Sequence, residues 1–182
     1  LHINERLWVI PEVKRLEEQD CCLKLSVEGK ELYWPNEYST PELGWLYLEI
    51  FTPYHKNPSS YSNPLMPIPE NGWVLAAGCC EGFFTMSALQ KYVGKVIAVE
   101  PIPKIVESLH YTFSHEIEEG KVVVEGVGLS DDEGVMSIGS NASSPLDSSL
   151  NDNSSHNESI DIPVTTIDKL AKKLSLEGNG LI

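Results

Sequence analysis

The sequence predicts an α/β protein in which a parallel sheet with flanking helices follows a small N-terminal α+β cap. Apolar segments at 73–78, 95–100 and 121–129 are rich in Val, Ile and Ala, as strands buried on both faces are. Segments with helical periodicity, 83–93 and 103–120, alternate with them, and each is closed by a glycine. This alternation is typical of β-α-β units with right-handed crossovers in a parallel sheet.

The first part of the chain has a different pattern. Residues 11–19, "PEVKRLEEQ", have helical character, and residues 22–35 predict a hairpin that turns at Glu28 and Gly29. Residues 40–51 predict an amphipathic helix with Thr40 as its N-cap. Its aromatic residues, Trp45, Tyr47 and Phe51, are expected in the core rather than at a substrate platform.

The C-terminal part is expected to begin with a short strand at 134–139. Residues 140–159 are rich in Ser and Asn and predict a mobile loop, either a lid or a disordered segment. Residues 159–174 predict a strand and a helix, with Thr165 and Asp168 as a capping pair. The last residues, 178–182, have the pattern of another strand, so we expect the sheet to continue beyond residue 182.

These patterns suggest two domains. Residues 1–69 form the cap and a linker, because 52–69 are rich in Pro, Ser and Asn. Residues 70–182 form the α/β domain.

Charge and cysteine content narrow the class of partner. The formal net charge of −14 leaves no basic patch for nucleic acid, and no apolar run is long enough for a membrane span. The four cysteines form two adjacent pairs without the spacing of a disulfide framework or a metal site. We therefore expect reduced thiols, no metal and a cytoplasmic protein. The sequence carries no signal for the oligomeric state.

The turn "VLAAGCCEGFF" (74–84) is the candidate binding site. Gly78 ends the first strand and lets the backbone approach a ligand, while Gly82 opens the next helix, where free N–H groups point outward. Glu100 ends the second strand, which lies beside the first in such folds. A carboxylate there can accept hydrogen bonds from both ribose hydroxyls. The combination predicts a ligand that contains a nucleoside.

The residues between the two glycines bear on which nucleoside binds. A nicotinamide dinucleotide prefers a third glycine at position 80, where this chain has Cys80. Glu81 would repel the pyrophosphate. S-adenosylmethionine has no phosphate and has a cationic centre, so it suits this turn better.

Four segments together resemble the FkbM-type S-adenosylmethionine-dependent methyltransferases. They are "VLAAGCCEGFFTMSAL", "VIAVEPIPKIVESL", "VEGVGLSDDEG" and "IPVTTIDKL", and the resemblance covers about residues 73 to 182. It implies a Rossmann-like class I methyltransferase fold and O-methylation of a hydroxyl on a small-molecule acceptor, a sugar or natural product. The cofactor-binding residues that it implies are Ala76, Gly78, Glu81, Gly82, Phe83, Glu100, Pro101, Glu125, Gly126 and Val127.

Within that resemblance, Gly78, Glu81, Gly82 and Phe83 would line the methionine and ribose. Glu100 would hold the ribose hydroxyls, and Glu125 to Val127 would lie beside the adenine. Ala76 departs from the pattern, since the family normally has Asp there to order the turn and the ligand's amino group. Two alternatives remain. One is a methyltransferase-like binding module impaired by Ala76, and the other, less favoured, is an NAD-dependent oxidoreductase.

The sequence identifies no catalytic residue. The resemblance implies an acid near the methyl-transfer centre in a later strand with a "KIDVEG"-like motif, which we expect beyond residue 182. Among the visible bases, His110 and His115 are expected on the outer face of a helix, and His55 near the mouth of the site.

Overall fold

The structure is a computed structural model, and it describes residues 9–61, 63–65, 67–91, 93–141, 144–149 and 158–182. These residues form one parallel and two mixed or antiparallel sheets, together with five helices.

The parallel sheet contains β4 (Trp73–Ala77), β5 (Lys95–Val99), β6 (Val122–Glu125) and β11 (Gly180–Leu181). Its spatial order is β11-β4-β5-β6. The chain moves from β4 outward to β6 and later returns to the other side of β4, so the strand order reverses between β4 and β11. In open α/β sheets, ligands bind at the carboxyl ends of the strands beside such a reversal.

Both faces of this sheet are covered, which confirms the predicted fold class. Side chains alternate along β4, so Val74 and Ala76 pack with α2 (Phe83–Leu89) and α3 (Pro103–Thr112), within one large apolar cluster. Leu75 instead faces α5 (Ile167–Lys173), where it packs with Leu170. Strands buried on both faces need the nearly continuous apolar sequence that this segment has.

The helices differ in length from the sequence prediction. The first ends at Leu89 rather than at Gly94, and the expected helix at 103–120 is broken at Phe113, after which α4 (Ser114–Glu118) begins. Phe113 is 2% exposed, because its ring turns inward against Gly82, and its backbone leaves the helical region there. The cap of α5 is also shifted by one residue, since Thr166 accepts from the Lys169 N–H.

The N-terminal sheet contains β1 (Val13–Glu18), β2 (Cys22–Val27) and β3 (Lys30–Pro35). The predicted hairpin is confirmed, with positive φ at both turn residues, Glu28 and Gly29. The helix predicted at 11–19 is wrong, because β1 pairs antiparallel with β2. A helix this short would be only marginally stable in water, whereas pairing with β2 satisfies the backbone hydrogen-bonding groups along one edge of β1.

Helix α1 (Glu42–Phe51) confirms the helix predicted at 40–51, but its N-cap residue is Pro41 rather than Thr40. The Thr40 carbonyl, not its hydroxyl, accepts the Leu43 N–H. Tyr47 and Phe51 pack inward as expected, whereas Trp45 is 48% exposed. The prediction that Trp45 is a core residue is therefore wrong.

The last sheet overturns two predictions. The expected single strand at 121–129 is split, and β7 (Gly128–Leu129) joins β8 (Gly134–Asn141), β9 (Ser144–Ser149) and β10 (Glu158–Thr165) in the order β7-β10-β8-β9. The predicted mobile loop at 140–159 is strand at 140–141, 144–149 and 158–159. Residues 142–143 and 150–157 lie outside the described residues. Pairing of Ile138 with Ile160 fixes a register that carries the backbone ladder into this polar segment.

One apolar cluster joins the cap to the α/β part, with Leu25, Leu43, Val74 and Phe83 among its members. The Tyr33 N–H also donates to Thr112 Oγ1 at 2.8 Å, so β3 is tied to α3. The division into domains at residues 69 and 70 stays a prediction. Among the described helices, none is long and apolar enough to cross a membrane.

Replacement of Gly82 by Ala is expected to destabilise the fold. Gly82 has φ +88, and a Cβ there would lie 2.7 Å from Phe113 Cε2. Backbone strain and overpacking together predict a loss of about 2–3 kcal/mol in the free energy of unfolding, measured by urea denaturation. Gly134→Ala is the control, because no atom lies within 4 Å of its added Cβ. An equal effect of the two substitutions would contradict the packing role of Gly82.

Candidate functional site

A cavity of about 620 Å³, called here the main cavity, lies at the carboxyl ends of β4 and β11. It therefore occupies the point where the strand order reverses. Residues 75–81 and Phe84 form its floor, Leu46 and Ile50 of α1 form one wall, and Leu181 lies on the β11 side. The volume is within the range of about 300–1,000 Å³ that is usual for small-molecule sites.

The turn after β4 is held in a conformation that opens its backbone to this cavity. Gly78 has φ +66 and Cys80 has φ +46. The N–H groups of Gly78 and Cys79 both donate to the Val99 carbonyl, at 2.9 and 3.0 Å. A Cβ at Gly78 would meet no atom within 4 Å, so its outer face is open space. A ligand can approach the backbone there, as the sequence predicts.

Gly82 and Phe83 lie on the other side of the turn. Gly82 packs beneath Phe113, and Phe83 is 0% exposed. The Phe83 ring meets Tyr47 and Phe51 edge to face, with centroid distances of 5.7 and 5.9 Å. Neither residue lines the main cavity, and both support the turn from within the core.

Glu100 is 4% exposed and fastens the turn to the end of β5. Its Oε2 accepts the Cys80 N–H at 3.1 Å, and its Oε1 accepts the Ile102 N–H at 2.9 Å. Burial raises the pKa of this carboxyl, although the two backbone hydrogen bonds oppose the rise. Each oxygen can accept a second hydrogen bond, so the carboxylate keeps acceptor capacity beyond its structural role.

Glu81 lines the main cavity and is 6% exposed. Its Oε1 accepts the Phe83 N–H at 3.2 Å. Burial raises its pKa to about 7, and the charge of Glu100 acts in the same direction. Among the described residues, neither of these two acids has an ion pair with Lys, Arg or His. The site therefore holds two buried acids without a basic partner, a setting that favours a cation.

The cysteines of the turn are neutral wall groups. Cys79 is 6% exposed and Cys80 is half-buried, and both carry free thiols. Burial raises the pKa of both thiols well above the usual value, so they stay protonated at neutral pH. The other pair, Cys21 and Cys22, is also free.

Ala76 lies in the wall of the main cavity and is 4% exposed. It pairs with Ala98 of β5 in the sheet register, so both residues at this point of the β4–β5 pair have only a methyl side chain. The carboxylate that the family resemblance places at this position is replaced by an apolar surface.

Glu100 does not itself line the main cavity, and neither do the remaining predicted residues. Glu125 pairs with Lys173, with Nζ–O distances of 2.7 and 2.9 Å, and its carbonyl accepts the Glu100 N–H at 3.0 Å. Gly126 lies against Val106, and Val127 packs towards the α5 face. Pro101 is half-buried beyond Glu100. The end of β6 is therefore adjacent to Glu100 but outside the cavity wall.

Sequence reasoning missed the upper wall of the cavity. Leu46, Glu49 and Ile50 come from α1, and residues 59–61 with Asn63 come from the segment predicted to be a surface linker. The apolar face of α1 was the available signal, but periodicity does not say what a face covers. His55, His110 and His115 are exposed and do not line the cavity, and His115 contacts Glu119 at 3.3 Å.

The described residues contain no group of His, Cys, Asp and Glu side chains that could hold a metal ion.

No protein-family model matches the chain, and no curated protein matches it in sequence. The chain is similar in structure to methyltransferase FkbM from Methylobacillus flagellatus KT, with 13% identity over 79% of this chain and a TM-score of 0.44. It is also similar to Trm5b from Pyrococcus abyssi, with 14% identity over 62% of this chain and a TM-score of 0.33. It spans 36% and 34% of the lengths of those proteins. Neither similarity assigns an activity or a substrate to this chain.

Replacement of Glu81 by Gln is expected to flatten the pH dependence of stability. Because the folded pKa of about 7 exceeds the reference value of 4.5, the folded state holds this proton more tightly than the unfolded chain does. Stability from Glu81 is therefore present below about pH 4.5 and is lost as pH rises through 7, by about 3 kcal/mol in all. Glu81→Gln is expected to unfold at higher urea concentration than the unchanged protein at pH 8.

Glu49→Gln is the matched control for this measurement. It makes the same chemical change at an exposed residue of the same cavity, so the difference between the two variants isolates the effect of burial at Glu81. If the free energy of unfolding changed with pH in the same way for Glu81→Gln and the unchanged protein, the raised pKa of Glu81 would be contradicted.

Proposed function

We propose that this protein is an S-adenosylmethionine-dependent methyltransferase that methylates a hydroxyl oxygen on a small sugar or natural-product acceptor. One observation carries the proposal. At the reversal of a parallel sheet, an open glycine turn lies beside two buried acids that have no basic partner among the described residues. A nucleoside with a positively charged centre suits this combination, because the charge compensates carboxylates that burial makes costly to ionise.

The main cavity, together with Glu100 next to its turn, fits S-adenosylmethionine in size and chemistry. The open face at Gly78 admits close approach to the backbone, Glu81 offers a carboxylate to the cationic part, and Glu100 has acceptor capacity for ribose hydroxyls. Leu46, Ile50 and Phe84 supply apolar wall. When bound, S-adenosylmethionine supplies a methyl group on positively charged sulfur; as the oxygen–carbon bond forms, the sulfur–carbon bond breaks with its electron pair left on sulfur, and the hydroxyl proton leaves to water.

The chain's own contribution is orientation. The turn is tied to β5 by three backbone N–H groups, those of Gly78, Cys79 and Cys80, so its groups are placed before any ligand arrives. Preorganised dipoles and charges in an apolar site act more strongly than in water. Proximity and alignment then supply much of the acceleration expected for an in-line displacement. The three exposed histidines are not assigned a role as base.

Membership of the FkbM-type family and a cytoplasmic location belong to the same proposal. The four sequence segments support the former, and the absence of a disulfide framework from the cysteine spacing supports the latter.

Ala76 favours a second candidate, a methyltransferase-like binding module without activity. Its methyl group stands where the resemblance expects the carboxylate that orders the ligand's amino group. A nicotinamide dinucleotide is less favoured, because Glu81 lines the cavity and would repel the pyrophosphate.

Calorimetric titration of S-adenosylhomocysteine into the full chain is expected to show micromolar binding. The same titration with Ala76→Asp distinguishes the two candidates, because an aspartate would restore the missing contact to the amino group. Binding by the variant alone would support the inactive module, and binding by neither protein would contradict both candidates. Ala77→Asp is the control, since it adds a carboxylate to the neighbouring, exposed residue of the same cavity.

The preference for S-adenosylmethionine over S-adenosylhomocysteine is expected to grow between pH 6 and pH 8. The two ligands differ by the sulfonium charge, which favours the ionised form of Glu81. Since the pKa of Glu81 is about 7, its ionised fraction rises about tenfold over this range, and the ratio of the two dissociation constants should follow. Glu81→Gln should abolish the change. NADH, which is anionic, should bind more weakly as pH rises if it binds at this site.

A further inference from the structure

A second cavity of about 260 Å³, called here the side cavity, runs along α2 next to the main cavity. The two cavities share Tyr61, Asn63 and Phe84 as lining residues. The rings of Tyr61 and Phe84 lie with centroids 5.6 Å apart and planes at 52°. Tyr61 is 60% exposed and Phe84 packs against the core, so this ring pair forms a partition between two accessible spaces.

The walls of the side cavity are suited to a flat ring. Pro64, Pro67 and Ile68 line it together with the rings of Tyr61 and Phe84. Aromatic and proline faces offer apolar surface against which a sugar or phenyl ring can stack. Among the described lining residues, the polar side-chain groups are the Tyr61 and Ser87 hydroxyls, the Lys91 ammonium and the amide of Asn63, whose Oδ1 already accepts the Leu65 N–H at 2.9 Å. Such a mixture is typical of a site that orients a small ligand.

Lys91 gives the side cavity a positive end. The chain carries a formal net charge of −14, yet within the described part of the chain Lys91 has no ion pair, whereas Lys121 and Lys169 each pair with a glutamate. Phe84 lies in the first turn of α2, whereas Lys91 lies just beyond its last residue, so the two are near opposite ends of this helix. An anionic group at Lys91 would therefore leave the other end of a small ring compound at the partition.

We propose that the side cavity binds a hydroxylated six-membered ring that carries a carboxylate or a phosphate. The ring lies between the prolines and Tyr61, the anionic group lies at Lys91, and a ring hydroxyl points past Phe84 towards the main cavity. The assignment of this compound as the methyl acceptor rests on the proposed function. The site itself rests on the shape and charge of the side cavity alone.

Ligand-observed NMR titrations of the full chain test the site with matched pairs of probes. One pair is 3,4-dihydroxybenzoate and 3,4-dihydroxybenzamide, and the other is glucose 6-phosphate and glucose. In at least one pair, the charged member is expected to bind about fivefold or more tightly, and Lys91→Glu is expected to remove this preference. Added salt should reduce it as well. Lys172→Glu is the control, because it makes the same charge change at an exposed lysine of α5.

A second variant separates the shape of the cavity from its charge. Ser87 is half-buried and lines the side cavity but not the main one, so Ser87→Phe is expected to weaken both members of a pair. Binding of S-adenosylhomocysteine should be unchanged in both variants. Equal binding of charged and neutral probes in both pairs, or the absence of binding, would overturn the proposal.

Titration of S-adenosylhomocysteine distinguishes failure of this inference from failure of the proposed function. A charge preference that depends on Lys91, without any binding of S-adenosylhomocysteine, would support the site and overturn its role as the acceptor site. Binding of S-adenosylhomocysteine without that preference would leave the proposed function standing and overturn the site.

Discussion

The rest of the site depends on how the turn after β4 is fastened to the end of β5. Two consecutive N–H groups donate to one carbonyl, that of Val99, and the next donates to the side chain of Glu100. Gly78 and Cys80 both have positive φ angles in this turn. Glu100 therefore has a structural role in holding the turn, and this role does not depend on a ligand. The fastening also opens the outer face of Gly78 to the main cavity.

A consequence of this arrangement is a pair of acids in an apolar setting. Glu100 is compensated by backbone hydrogen bonds, whereas Glu81 accepts a backbone hydrogen bond and faces the cavity. Burial disfavours the ionised form of both carboxyls. Among the described residues, the two carboxylates therefore have no compensating positive charge, and a cationic ligand would supply it. Ala76 adds no third negative charge to this pair, because its side chain is apolar.

The strongest sequence predictions concerned segments whose local pattern has one dominant solution. The apolar runs at 73–78 and 95–100 are too short for spanning helices and are bounded by glycines or charges, so they predict buried parallel strands, and the structure has β4 and β5 there. Errors arose where tertiary pairing overrides local preference. Residues 13–18 form a strand because β2 offers an edge, and the described strand residues of the polar segment at 140–159 belong to the β8–β9 and β8–β10 ladders.

By itself, the sequence determined the α/β class, the glycine turn, the acid within that turn and the acid at the end of the following strand. It could do so because strand, turn and glycine signals act over a few residues. Only the tertiary structure decided what those residues face. It turns Phe83 and Gly82 into the core, pairs Glu125 with Lys173, and brings Tyr61 from a supposed linker to the rim of both cavities. Burial and orientation depend on contacts between distant segments, and sequence periodicity gives the direction of a face without naming its neighbour.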